Sequence, residues 1–367
     1  MDFTLDADQL ALQDVARQAL AREFDGALLR ELAEDPAGIT PELWSRFVEL
    51  GWTGLLVPED QGGAGAGLLE ASIVLEQMGR IPVPGPFWSS AIFATLAARA
   101  LGERELVTTL ATGETRGTVA LQEMGHGDPI DTVRSRARRK GAGWVVSGHK
   151  PLVVDGHTAD WAIVVARNEE GVRSFLLESP RLLMTGGVPT LDPTRQAANL
   201  VLDEQPVLPL GPPGSHLGLW RGVLDDVAVS LAAETVGVAD RALEMAIEYS
   251  RERVVFDRPI ATFQVVKHRI VDMYHVLEMA RVGAQYAAWA SDVEAPDRAR
   301  AAAMAASYAA EAAVRVTGDN IQVHGGVGFT WANDAHFLFK RAKQNGVLFG
   351  GISHERQRLA RMLIDSA

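Results

Sequence analysis

Apolar residues recur with a helical period through the first third of the chain. The stretch LDADQLALQDVARQALAREF (5–24) has this spacing, and TPELWSRFVELGW (40–52) begins with a capping threonine and a proline at the first helical position. Two further helical stretches, rich in alanine and leucine, are predicted at 67–79 and 84–102. We therefore expect residues 1–116 to form an N-terminal helical domain.

The pattern changes near residue 117 to short runs of β-branched residues separated by turn residues. Gly141–Gly143 and Asn168–Gly171 are predicted to be hairpin turns. Together these features predict an antiparallel sheet of about six or more short strands, in a middle β domain over 117–212. The segment PLGPPG (209–214) marks its end, because proline and glycine interrupt regular structure.

The helical period returns at residue 215 and continues along the rest of the chain. An apolar stripe follows the first helix of this part, and we expect further helices at about 263–291, 294–320, 332–345 and 352–366. Residues 213–367 are therefore predicted to form a C-terminal bundle of four or five helices. The predicted fold class is α+β, with a helical domain, an antiparallel β domain and a helical bundle in that order.

The charge balance argues against a nucleic-acid partner. The chain has 47 acidic and 35 basic residues, and its formal net charge is -12. One short basic run, RSRARRK (134–140), departs from this balance. We interpret it as a solvated strand edge or turn rather than an anion site.

The absence of cysteine excludes disulfide scaffolds, thiolate zinc sites and cysteine nucleophiles. The N-terminal residues are acidic and amphipathic, unlike a signal peptide, and no window reaches the roughly 18 apolar residues that a membrane helix needs. We therefore expect a cytoplasmic protein without a membrane span.

Common cofactor and metal motifs are not present. The run GGAGAG (62–67) lacks the last glycine of a dinucleotide fingerprint and no βαβ unit surrounds it, so we interpret it as a loop between helices. The nine histidines do not cluster at metal-ligand spacing. The sequence therefore predicts no metal site.

A short segment, RERVVFDRPIATFQ (251–264), combines three side chains suited to a dinucleotide. Arg253 offers a fork for a pyrophosphate, Phe256 offers a face for a planar ring, and the Gln264 amide can bond either. The alternative is a turn in which the arginine caps helix carbonyls. Spacing alone leaves both open.

The glycines in IQVHGGVGFT (321–330) follow a predicted helix. Without side chains, Gly325 and Gly326 would let backbone amides approach an anion. The alternative is a simple turn between helices.

Four segments together resemble the acyl-CoA dehydrogenase family. They are LGWTGLLVPEDQGGAGAGLLEASIVLEQMGR, SGHKPLVVDGHTADWAIVVAR, RERVVFDRPIATFQVVKHRIVDM and QVHGGVGFTWANDAHFLFKRAK, and the resemblance covers nearly the whole chain. It implies an N-terminal helical domain, a middle β domain and a four-helix bundle, with FAD between the last two. It also implies oxidation of the Cα–Cβ bond of an acyl-CoA: a carboxylate removes the α-proton, the flavin accepts the β-hydride, and an electron-transferring flavoprotein takes the electrons.

The resemblance also implies cofactor contacts. In the family the neighbouring subunit largely holds the adenine–pyrophosphate half of FAD, and the matching positions here are Arg253, Phe256, Gln264, Gln322, Gly325 and Gly326. On the isoalloxazine side, the resemblance implies a seventh contact at Gln122, which stands where relatives have a threonine. Leu152 and Val154 stand where relatives have a tryptophan and a threonine, so hydroxyl donors near the ring are lost.

The positions of the family's catalytic base hold no acid. Ungapped matching puts Phe349 at the usual position and Val227 at the alternative one on the first bundle helix. Asp226 and Glu234 are the remaining candidates. Asp226 points about 100° away from Val227 around a helix. Glu234 is expected either to act as the base or to pair with Arg241 or another subunit.

Three functional hypotheses remain. Some actinobacterial family members in sterol catabolism form α2β2 tetramers in which one kind of subunit carries the base. The first hypothesis is therefore that this chain is the base-lacking subunit of such a complex, acting on a bulky acyl-CoA. The second is a self-sufficient homotetramer whose base is Glu234 or Asp226. The third is a flavin-free scaffold or acyl-CoA-binding protein.

Overall fold

The computed structural model describes residues 4–24, 26–125 and 127–364. They fall into two compact units. The helical unit contains the described residues up to 29, residues 68–83 and those from 228 onward, and the sheet unit contains 30–67 and 84–227. Each unit is therefore assembled from separate stretches of the chain.

Helices make up most of the described chain. They are α1 (Ala7–Glu23), α2 (Gly26–Glu34), α3 (Pro41–Glu49), α4 (Leu68–Gly79), α5 (Thr95–Leu101), α6 (Arg104–Ala111), α7 (Leu217–Glu252), α8 (Gln264–Asp292), α9 (Arg298–His324), α10 (Ala335–Asn345) and α11 (Gly351–Ile364), with a π-helix at Phe87–Ala94. Among these residues, none of the helices combines the length and the apolar character needed to cross a membrane.

Local signals explain where several helices begin and end. Asp6 and Gln9 form a capping box at the start of α1: the Asp6 carboxylate accepts from Gln9 N at 2.8 Å, and Gln9 Oε1 accepts from Asp6 N at 3.2 Å. The predicted capping residue Thr40 accepts from Leu43 N at 3.1 Å. α9 continues four residues past its predicted end at 320. Its backbone is helical as far as His324, and the helix ends at Gly325, which has φ 61°.

The strands occupy the predicted middle region. They are β1 (Gly117–Ala120), β2 (Arg136–Lys140), β3 (Gly143–Val154), β4 (Trp161–Asn168), β5 (Gly171–Glu178), β6 (Met184–Val188) and β7 (Ala197–Leu210), and a separate small hairpin contains β8 (Val254–Val255) and β9 (Arg258–Pro259). The main sheet has the order β1-β4-β2-β3-β7-β5, β6 pairs with β7, and β4 also pairs with β5. The two predicted hairpin turns join β2 to β3 and β4 to β5.

The sheet is not purely antiparallel as expected, because β4 has two parallel neighbours. β2 pairs with it at Arg136 opposite Arg167. β1 pairs with β4 in parallel, with Gly117 opposite Trp161. The two strands are joined through β2 and β3 rather than by a tight turn, so the chain can return in the same direction. The basic run lies on β2 as a solvated strand, where Arg138 and Lys140 both pair with Glu204.

Small residues allow close helix packing in the helical unit. A Cβ atom on Gly79 of α4 would lie 2.0 Å from the carbonyl oxygen of Glu234, and one on Gly237 of α7 would lie 1.8 Å from that of Glu76. The two backbones therefore touch directly. α4 is also fixed at its N-terminus, because the Asp292 carboxylate at the end of α8 accepts hydrogen bonds from two of its backbone amides at 2.6 and 2.9 Å.

Candidate functional site

Three of the predicted cofactor residues line one groove in the helical unit. Arg253 follows the last turn of α7, and Gly325 and Gly326 follow the last turn of α9. Val255 and Ile260 of the small hairpin region add apolar walls to the same groove. The structure therefore brings a guanidinium and a glycine pair together, as a pyrophosphate would require.

The side chain of Arg253, in this groove, makes no polar contact with the described residues. Its guanidinium takes part in no hydrogen bond or ion pair with any residue that the structure describes. At the C-terminus of α7, the Arg253 backbone N–H donates a hydrogen bond to Tyr249 O at 2.9 Å. The alternative in which the arginine side chain caps helix carbonyls is therefore not what the structure contains.

The glycine pair leaves space beside its backbone. Gly325 has φ 61° and ψ -140°, a conformation that L side chains rarely adopt. At Gly326 a Cβ atom would meet no heavy atom within 4 Å. Packing within the chain therefore does not require glycine at 326, whereas a ligand lying against the backbone would.

Phe256 occupies the tip of the hairpin and points into solvent. It is 85% exposed, and it and Asp257 both have left-handed backbone conformations, with φ 52° and 61°. Two such residues suit a tight turn between strands, but turns of this kind normally use asparagine or glycine. The Phe256 ring makes an edge contact with Phe263 at 6.4 Å between centroids, and Arg258 lies 4.3 Å over the Phe263 ring.

The other two predicted contacts lie outside the groove lining. Gln264 is the exposed first residue of α8, directly after Phe263, and its Nε2 lies 3.4 Å from His268 Nε2. Gln322 is exposed in the last turn of α9. The six predicted residues therefore divide between the groove itself and the exposed surface of the same hairpin and helix ends.

The seventh predicted contact, Gln122, lies in the sheet unit beside an ion pair that the sequence did not reveal. Lys150 is fully buried, and its Nζ donates to Leu121 O at 3.1 Å, Glu123 Oε1 at 2.6 Å and Val165 O at 2.7 Å. The residues on both sides of Gln122 are therefore held by one ammonium. The Gln122 Oε1 atom is buried without a hydrogen-bond partner among the described residues.

The surroundings shift the pKa of both members of this ion pair. Desolvation lowers the pKa of Lys150 to about 8, although Glu123 opposes the shift. The Glu123 carboxylate also accepts from the Ser135 backbone at 3.0 Å and the Ser135 hydroxyl at 2.7 Å. The pKa of Glu123 is lowered: burial alone would raise it, and Lys150 and Ser135 outweigh that effect. Leu152 and Val154 follow on the same strand as Lys150 and bring no polar side chain.

Phe349 and Val227, which the sequence match places at the base positions, have side chains that cannot accept a proton. Phe349 is buried in a turn at Leu348–Gly350 and has a left-handed backbone, with φ 50°. Val227 is buried on α7. Asp226 is half-buried beside Val227, next to the buried Asp225.

Glu234 is held on both carboxylate oxygens. Oε1 accepts from Arg341 Nη1 at 2.5 Å, and Oε2 accepts from Asn345 Nδ2 at 2.8 Å, all three side chains being buried. Arg341 also donates to the carbonyls of Pro82 and Val83, at 3.2 Å each.

The alternative in which Glu234 pairs with Arg241 is therefore wrong. Arg241 bonds Glu244 and Glu248 on its own helix, at 2.6 and 3.4 Å. The carboxylate of Glu234 is turned instead towards α10.

No group of three or more potential metal ligands occurs within residues 4–24, 26–125 and 127–364. The candidate chemistry therefore lies in the groove and in the residues around the family's base positions.

Two family descriptions match the chain over most of its length. Acyl-CoA dehydrogenase, C-terminal domain, matches residues 218–364, and acyl-CoA dehydrogenase, N-terminal domain, matches residues 6–108. The chain belongs to the acyl-CoA dehydrogenase family. FAD is the cofactor of acyl-CoA dehydrogenases, and the uncommitted guanidinium and the open glycine backbone of the groove fit its pyrophosphate.

Similar proteins support the same assignment. Acyl-CoA dehydrogenase IpdE2 of Mycolicibacterium smegmatis is 31% identical over 95% of this chain and 96% of its own. Acyl-CoA dehydrogenase FadE27 of Mycobacterium tuberculosis is 32% identical over 92% of each.

Solved structures of other family members confirm the predicted fold class. A variant of the Tcur3481-Tcur3483 steroid ACAD has a TM-score of 0.90 and 32% identity, covering 99% of both chains. The ChsE4-ChsE5 complex from Mycobacterium tuberculosis has a TM-score of 0.89 and 29% identity, covering 100% of both chains. This acyl-CoA dehydrogenase chain therefore has the order of N-terminal helices, middle β region and C-terminal helices that its sequence predicted.

Proposed function

We propose that this chain is the base-lacking subunit of a heteromeric, FAD-dependent acyl-CoA dehydrogenase that desaturates a bulky acyl-CoA. The proposal is carried by the sequence match that puts Phe349 and Val227, neither of which can accept a proton, at the two base positions of the family. Glu234, one of the two remaining candidate acids, is engaged by Arg341 and Asn345 on its two oxygens. A carboxylate tied in this way supports the fold and is poorly placed to take a substrate proton.

Features of the helical unit support a role beside a partner subunit. The Arg253 guanidinium is unpaired among the described side chains, the backbone at Gly326 is open, and the Phe256 ring is exposed. Contacts within one chain do not explain these three features. Contact with a dinucleotide bound by a partner subunit would explain each of them. The similarity to chains of the ChsE4-ChsE5 complex and of the Tcur3481-Tcur3483 steroid ACAD adds support for a heteromer and for a bulky substrate.

The chain's own contribution is binding and orientation. Arg253 would pair with the pyrophosphate of FAD, and the Gly325–Gly326 backbone would lie against it. FAD supplies hydride acceptance when bound. The general base would come from the partner subunit, and an electron-transferring flavoprotein in the cytoplasm would receive the electrons.

The test is the visible spectrum of the chain expressed alone and together with a related subunit, followed by anaerobic titration with a panel of acyl-CoAs. We expect the chain alone to be colourless and the complex to contain flavin that bleaches on substrate addition. Bleaching flavin in the chain alone would favour the self-sufficient homotetramer and return attention to Glu234 and Asp226. A colourless complex would favour the flavin-free alternative.

Arg253→Ala gives a second test of the proposed contact. We expect the FAD content of the purified complex to fall several-fold, because the pyrophosphate loses its charged partner. Arg298→Ala, on the distant start of α9, is the matched control for loss of an arginine. Equal flavin occupancy in wild type and Arg253→Ala would contradict the proposed contact.

A further inference from the structure

His324 lies at the end of α9, immediately before the glycine pair, and lines the same groove as Arg253. It is only 6% exposed. Its ring stacks on Tyr249 of α7, with centroids 4.3 Å apart and planes 23° from parallel. The stack fixes the plane of the imidazole, so its hydrogen-bonding edge has a defined direction.

The tautomer of His324 follows from its one hydrogen bond. Nδ1 lies 3.0 Å from the carbonyl oxygen of Asn320 in the preceding turn. A carbonyl oxygen only accepts, so Nδ1 carries the hydrogen. In the neutral ring Nε2 is then an acceptor, and no residue in the described part of the chain donates to it.

This acceptor sits in surroundings that suit a purine. Val255 and Ile260 line the groove with apolar surface, and Tyr249 adds an aromatic ring. The lone pair of a neutral imidazole repels a phosphate oxygen and attracts an N–H donor. Arg253 and the glycine backbone in the same groove are better suited to bind phosphate groups.

We propose that His324 selects adenine in this groove by accepting a hydrogen bond from its exocyclic amino group at Nε2. The inference rests on the proposed function, in which the groove receives the adenine–pyrophosphate half of FAD, and it adds a residue that sets base specificity. A 6-oxo purine in the same position presents an oxygen acceptor to Nε2 and loses the bond. His324 thus acts on the base, and Arg253 acts on the phosphates.

The experiment uses the full chain with ADP and with inosine diphosphate (IDP) as probes, measured by titration calorimetry at pH 8. We expect the wild type to bind ADP about five- to tenfold more tightly than IDP, the range of one net hydrogen bond. His324→Phe keeps the ring stack and removes the acceptor, so the preference should fall to within about twofold. His324→Gln, which retains an acceptor oxygen, should recover part of it.

Arg253→Ala separates this inference from the proposed function. Loss of the arginine should weaken ADP and IDP equally and leave their ratio unchanged. If Arg253→Ala has no effect while the ADP preference stands, the proposed phosphate contact fails and the role of His324 survives.

Equal binding of ADP and IDP by the wild type, a preference that persists in His324→Phe, or no binding of ADP would each overturn the inference. Tighter binding of both nucleotides at pH 5.5 than at pH 8, with no preference between them, would also overturn it.

Discussion

Lys150 lies fully buried inside the sheet unit. Three acceptors surround its ammonium, and its Glu123 partner accepts further bonds from Ser135. At the scale of single residues, such pairs become expensive when one member is removed, because the other charge stays buried. The same logic applies to Glu234 and Arg341 in the helical unit.

Lys150→Met should lower the free energy of unfolding by about 3–5 kcal/mol, because Glu123 is left as a buried carboxylate without its ammonium. Urea unfolding followed by tryptophan fluorescence measures the loss. The double variant Lys150→Met/Glu123→Gln should be more stable than the single variant, since it removes the unpaired charge. A single variant within about 0.5 kcal/mol of wild type would contradict the prediction.

His216 gives the sheet unit a pH dependence. Burial lowers the pKa of His216, and the neutral ring bonds Ser174 Oγ at 3.0 Å through Nδ1 and Pro212 O at 2.9 Å through Nε2. In the unfolded chain a histidine takes up its proton near pH 6.5. Its contribution to stability is therefore complete above pH 6.5 and is lost as the pH falls below that value towards the lowered pKa.

We expect the stability of the wild type to fall more steeply between pH 6.5 and pH 5 than that of His216→Asn, although the variant is less stable at pH 8. Chemical denaturation at a series of pH values gives both curves. Titration of other groups cancels in the difference between them. Parallel curves would show that His216 does not carry this dependence.

At the scale of elements, the contact between α4 and α7 depends on the absence of two side chains. Gly79 and Gly237 each lie against a carbonyl oxygen of the other helix. A Cβ atom at either position would clash with that oxygen. This contact places α4 against the part of α7 that carries Glu234. Helix propensity favours alanine at such positions, so packing explains the glycines.

Gly237→Ala should reduce the stability by about 2–3 kcal/mol, because the added methyl group forces the two helices apart. Gly283→Ala on α8 is the matched control, since a Cβ there meets no atom within 4 Å. The control should be more stable than wild type by up to about 1 kcal/mol. Thermal unfolding compares them, and a loss at Gly283 as large as that at Gly237 would sink the explanation.

At the scale of the whole molecule, the sequence predicted what local patterns determine. The order of helices and strands and both hairpin turns follow from short segments, whereas the grouping of Arg253 with Gly325 and Gly326 came from the family resemblance. Glu123 and Lys150 were missed because they meet through a tertiary contact between the loop after β1 and strand β3. His324 was adjacent to a predicted glycine, and Tyr249 lay four residues before Arg253, one helical turn away, so both had a signal in the sequence.

Long-range pairing explains the error at Glu234. The spacing to Arg241 suggested a partner on the same helix, but Arg341 lies 107 residues away along the chain and on α10. A tertiary contact of that kind leaves no periodic trace in a single sequence. Parallel pairing of β1 with β4 was missed for the same reason.

Phe256 is a position at which the fold of one chain and the proposed assembly can be tested together. Phe256→Asn should stabilise the isolated chain by about 0.5–1 kcal/mol, since asparagine tolerates a left-handed conformation. The same variant should lower the flavin content of the complex, because the exposed ring is removed. Leu182→Asn, at a position 82% exposed in the sheet unit, should change neither quantity. Unchanged flavin content in Phe256→Asn would argue against a contact with the partner.

The division of the helical unit into three separated stretches has a consequence for synthesis on the ribosome. α1 and α4 emerge early and contact each other, but the remaining residues of the unit begin only at 228. At elongation rates of roughly 5–20 residues per second, residue 228 follows the end of α4 by roughly seven to thirty seconds, and the face of α4 that contacts α7 stays uncovered until then. The nascent chain should therefore depend on a chaperone that shields α1 and α4 until the C-terminal helices arrive.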